Sequence, residues 1–65
     1  MTEIIDKIDE CLRHKIRFRK MLNDPEVSTL DYLEAIQAIG SLDVALKVAR
    51  NACPLEYYVV VSRYN

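Results

Sequence analysis

Apolar positions in residues 3–22 recur at helical spacing. Ile4, Ile8, Cys11, Phe18 and Leu22 fall on one row stepped by three and four, in which Lys15 is the polar member, and Ile5, Leu12 and Ile16 widen the stripe. No Gly or Pro interrupts the run, acidic residues crowd its first half and basic residues its second, which suits the dipole of a single helix. Asn23-Asp24-Pro25-Glu26-Val27 is a connection: Asn23 suits a left-handed helix end, and Pro25 pushes Asp24 out of the α region. Ser28-Thr29-Leu30-Asp31 then resembles a capping box with Asp in the acidic place.

From Leu30 the pattern is helical again. Tyr32, Ala35, Ile39, Leu42, Leu46, Ala49 and Cys53 keep a three-four rhythm straight across Gly40. The apolar faces of the two halves do not coincide, however, and Gly40-Ser41 reads as punctuation, with Asp43 early and Lys47 and Arg50 late in a renewed dipole pattern. The expectation is a bend or break at Gly40, giving helices of residues 29–39 and 42–53. The tail, residues 54–65, holds three of the chain's four tyrosines and the run Val59-Val60-Val61, all β-favouring, but Pro54 also suits the first position of a short helix. The tail is therefore extended or a short helix. The fold class predicted is mainly α: an antiparallel helical hairpin with its second arm bent or broken near Gly40, in one small domain of residues 1–65.

Composition narrows the function. Sixty-five residues with 51% hydrophobic and 29% charged side chains and a formal net charge of −1 describe a small globular chain. A single Gly excludes Walker A and GxGxxG phosphate loops, which need several. The longest uninterrupted apolar run, Tyr57 to Val61, is far short of a membrane span of about 20 residues. The start is acidic and lacks the basic and apolar regions of a signal peptide, and two cysteines make no disulfide framework, so a cytoplasmic protein with reduced thiols is expected.

Candidate chemistry is thin. Cys11 and His14 lie three apart on one helix, but structural zinc takes four ligands, usually from two such pairs, and the second pair is missing. The same two residues lack a third group to orient the imidazole and a glycine-rich turn for an oxyanion hole. No metal, cofactor, small-molecule substrate or enzymatic activity is expected.

Two signals remain. Arg13, Lys15, Arg17, Arg19 and Lys20 crowd eight positions with His14, Ile16 and Phe18 between them, a stripe able to contact an acidic protein surface or a phosphate backbone. An acidic pI of about 5.7 and the carboxylates upstream weigh against nucleic acid. The other signal is apolar excess. Leu30, Leu33, Val44 and Val48 project away from the Tyr32–Cys53 row, and one facing helix cannot cover both sides. Tyr57, Tyr58, Val60 and Tyr64 extend that surface into the tail. Self-association, as a homodimer, is the expected remedy for a core this small.

In its size, its MTEIIDKIDECLRHK start and its lack of any enzyme motif, the chain resembles the small helical accessory proteins encoded in the early regions of lambdoid temperate phages. The resemblance implies action by binding host or phage proteins in the host cytoplasm. The function expected is a non-enzymatic, self-associating protein-interaction module with regulatory effect through an unidentified partner. The competing class is a small nucleic-acid-binding regulator using Arg13–Lys20.

Overall fold

The computed structural model describes residues 2–64. Three helices follow one another: α1 (Thr2–Leu22), α2 (Thr29–Ala52) and α3 (Pro54–Ser62). No strand forms among the described residues. α1 and α2 are the antiparallel arms of the predicted hairpin, and α3 packs on both.

The link between the arms uses local hydrogen bonds. The backbone N–H groups of Asn23 and Asp24 donate to the carbonyls of Lys20 and Met21, and the Asp24 carboxylate accepts from the Glu26 N–H at 2.9 Å. No described non-glycine residue takes a positive φ, so Asn23 does not adopt the left-handed end expected of it. The last carbonyls of α1 are met by these tighter i→i+3 bonds instead. Ser28 caps α2 as the sequence predicts, its hydroxyl oxygen accepting from the Asp31 N–H at 3.1 Å.

α2 is one helix through Gly40, not the separate helices 29–39 and 42–53. Its α1-facing row is continuous across the glycine, and packing along that row outweighs the roughly 1 kcal/mol that an interior glycine costs. The two faces that suggested a break belong to one element: the second, around Leu46 and Ala49, packs into the core, while much of the first, at Tyr32, Leu33 and Ile36, stays exposed. Cys53 interrupts the helical run, and Pro54 starts α3 at its first turn, where a missing N–H costs nothing.

The tail is therefore helical over Pro54–Ser62, hydrogen-bonded along its own backbone and not to another chain's strand. Val60, expected at a contact with another chain, is instead fully buried and forms the core cluster with Ile8 and Leu46. Tyr57 packs against the same cluster, together with Ile5, Leu12, Ala49 and both cysteines, which are free thiols. The helical period that turns Val60 inward turns Leu55, Tyr58 and Val59 outward.

Two polar contacts fix the arrangement. Lys15, the polar member of the α1 row, is half-buried and pairs with Asp43 on α2. With these residues level, the end of α1 at Leu22 comes level with about residue 36, and the first turns of α2 run past it. Just beyond α3, the Tyr64 hydroxyl donates to the Asp9 carboxylate at 2.6 Å, and Asp9 also pairs with Arg13 at 3.0 Å. The hydrogen bond to Asp9 raises the Tyr64 pKa above its ordinary 10.0. This contact therefore supports docking of the tail below that range and is lost as pH rises through the raised pKa. We expect Tyr64 to titrate above a tyrosine in an unstructured peptide, and Asp9→Asn to move it back. Tyrosine ring-carbon NMR shifts followed through the alkaline range check this; an unchanged midpoint in the variant would contradict the contact.

The molecule is elongated. Its radius of gyration is 13.0 Å, against about 11 Å for a compact chain of this length.

Candidate interaction surface

α2 carries the surface. At about 100° per residue, Leu30, Leu33, Gln37, Gly40, Ser41, Val44, Val48 and Asn51 share one arc about 100° wide, directed away from α1. All eight are exposed and none is charged. Leu30 is 67% exposed, Val44 66% and Val48 60%, large fractions for aliphatic side chains on a folded chain. A Cβ built on Gly40 would meet nothing within 4 Å, so the middle of the stripe is open.

Towards the C-terminal end of α2 the stripe runs into a groove of about 450 Å³ between α1 and α2. Ala45, Ala49 and Ala52 make one low wall, Ile4, Ile8 and Cys11 form the other, and Glu3 and Lys7 stand at its edge. The small alanines create the groove, because they leave room that larger side chains would fill. Val48 belongs both to the groove and to the stripe.

Among the residues expected at the surface, Leu30, Leu33, Val44, Val48 and Tyr58 are exposed, and the first four share one face of α2. Tyr58 lies apart on α3, edge-on to Tyr57 with ring centroids 5.8 Å apart. Tyr64 is exposed but its hydroxyl is engaged by Asp9 within the chain. Tyr57 and Val60 belong to the interior. Ile4, Ala45 and Ala52 join the surface through the groove, and Leu55, at 77%, is the most exposed large apolar side chain among the described residues. The alanine spacing at 45, 49 and 52 was visible in sequence, but the groove it makes with Ile4 and Cys11 of α1 was not.

The basic residues do not form one stripe. Arg13, Arg17 and Lys20 lie on one side of α1, while Lys15 and Arg19 point nearly opposite, by the same helical geometry. Arg13 and Lys15 are already paired with Asp9 and Asp43. Arg17 lies 5.8 Å from the centre of the Phe18 ring, and with Arg19 and Lys20 remains exposed. His14 is exposed and Cys11 half-buried in the groove; no cluster of three metal-ligating side chains forms among the described residues. No described helix is long and apolar enough to cross a membrane.

Area gives the apolar surface its weight. A monomer of 7.5 kDa is expected to expose about 4,200 Å², whereas this chain exposes 5012 Å². The difference, roughly 800 Å², is about one partner's share of a standard protein interface. Comparisons with protein families, characterised proteins and solved structures found no match to this chain.

Proposed function

We propose that this chain is a non-enzymatic protein-interaction module that associates with itself as a homodimer and acts as a regulator through a further bound protein. The observation that carries the reading is the uncharged, exposed stripe of α2 running into the apolar groove beside Ile4 and Val48. Water contact with that surface is unfavourable by about 25 cal/mol per Å² of apolar area, and a second protein surface removes it. The excess of exposed area sets the scale at one ordinary interface. The resemblance to phage accessory proteins supplies the proposed setting, the cytoplasm of an infected host. Arg17 and Lys20, on one side of the other end of α1, offer a separate pair of cations to an acidic partner. The nucleic-acid reading ranks below this one, since the cations are divided between two sides of α1 and two of them are neutralised.

Dimerisation makes stability depend on concentration. Between about 5 and about 500 µM the melting temperature should climb by about 3–6 °C for each tenfold step, given the usual temperature shift per kcal/mol for a chain this small. Sedimentation equilibrium over the same range should show a mass of two chains. A mass of 7.5 kDa throughout, with a constant melting temperature, would remove the reading.

A further inference from the structure

This inference rests on the self-association proposed above and gives it a geometry. We propose that two copies pair antiparallel through α2, about a twofold axis passing beside Gly40 and Ser41, with Leu30 of each protomer seated on the Ala45-Val48-Ala52 groove of its partner and Leu33 beside the partner's Val48.

The stripe is arranged for this. It is bulky at its start, with Leu30 and Leu33, smallest in the middle, at Gly40 and Ser41, and bordered by the alanine-walled groove at its end. A twofold axis perpendicular to α2 between residues 40 and 41 brings Leu33 level with the partner's Val48, Gln37 with Val44 and Leu30 with Asn51. Leu33 and Val48 each lie about 11 Å along the helix from that axis, at about 1.5 Å per residue. Each projecting end thus meets a groove, and the interface closes on itself with two identical halves. A parallel pairing would set Leu30 against Leu30 and Leu33 against Leu33, and leave both grooves without an occupant. The space above Gly40 lets the two axes approach closely where they cross. Nothing charged lies in the stripe, so the pairing buries no ion without a partner.

The charges at its edge agree. Glu34 stands on the flank of α2 that also bears Ala45 and Ala52, the groove side. The twofold rotation carries it over the edge of the partner's groove, where Lys7 stands. Within its own chain Lys7 has only a loose contact with Glu10 at 3.8 Å, among the described residues, and is free to turn toward a new carboxylate. Within one chain Lys7 is level with the last turns of α2, beside Ala49 and Ala52, well over ten residues from Glu34. A coupling between Lys7 and Glu34 therefore arises only between copies.

The test is sedimentation equilibrium of the full chain, with helicity followed by circular dichroism. Gly40→Leu fits the monomer, where nothing obstructs its side chain, but props the crossing apart; the dimer should weaken at least tenfold with helicity kept. Lys7→Glu and Glu34→Lys should each weaken it about fivefold, and the double exchange should return it to within twofold of the original. Should Gly40→Leu fail to fold, the charge exchange decides alone. A wild-type chain that dimerises, with Gly40→Leu dimerising equally well, or with the double exchange as weak as its two single changes compounded, overturns this geometry and leaves self-association standing. A wild-type chain that is monomeric overturns both.

Discussion

Val48→Glu should convert the protein to a monomer sedimenting at 7.5 kDa without loss of helical signal. Val48 is 60% exposed in the single chain, so a carboxylate there stays in water and costs the protomer little. In the proposed dimer the same position is covered twice, once by each copy's Leu33. Two carboxylates would then be buried without a cation, a cost of at least about 4 kcal/mol for the pair, or roughly a thousandfold in Kd. Val48→Ala is the matched control: it removes contact without adding charge, and should weaken association far less. The decisive readings are mass at about 100 µM, near the upper end of ordinary dissociation constants, and the slope of melting temperature against concentration. Mass should halve and the slope should vanish. A Val48→Glu chain that still sediments as two copies would move the interface away from α2, toward Leu55 and Tyr58 on α3.

Sequence pattern exposed most of this architecture, and where it did not, the reason is physical. α1 was legible because its apolar row is unbroken apart from Lys15, and that lysine proved to be the residue that reaches Asp43. The Ser28 cap was legible because capping depends on local chemistry within four residues. Gly40 misled, since glycine signals a break only where packing does not already hold the helix, and the row from Ala35 to Leu46 holds it. Val59, Val60 and Val61 suggested a strand because β preference is mainly a preference for being packed on one side. Pro54 and the cluster of Ile8 and Leu46 gave them that packing in a helix.

The surface was legible in part. Four aliphatic residues off the main row identified the exposed face of α2, a consequence of helical spacing alone. The groove beside it was not, because it depends on how far α1 slides along α2, and no local pattern encodes that register. In the register observed, Lys15 is level with Asp43 and Cys11 with Leu46, and the first turns of α2 are left uncovered. Those uncovered turns and the groove are two results of one displacement, and each has the shape the other lacks.

Leu46→Ala is expected to destabilise the protomer most severely of the conservative changes. The main core cluster consists of Ile8, Leu46 and Val60, one residue from each helix, and Leu46 supplies the largest side chain from α2. Truncating a buried leucine costs about 2–5 kcal/mol, through lost burial and the cavity that remains. A chain of 65 residues has about 3–10 kcal/mol in total to lose. At about 4–8 °C per kcal/mol for a domain of this size, the melting temperature should drop by at least about 8 °C. Val44→Ala, two residues away on the exposed stripe, should cost under about 0.5 kcal/mol in dilute protein, where only the single chain is in question. Leu46→Met keeps the volume and should fall between, within about 1.5 kcal/mol of the original. The Leu46→Ala deficit should also persist at high concentration, because the cavity lies inside each protomer and association does not fill it. Urea denaturation of the three variants at low and high concentration separates these effects. Equal losses for Leu46→Ala and Val44→Ala in dilute protein would mean that α3 does not close over α1 and α2 as described, and that the stability of this chain comes from somewhere other than the junction of its three helices.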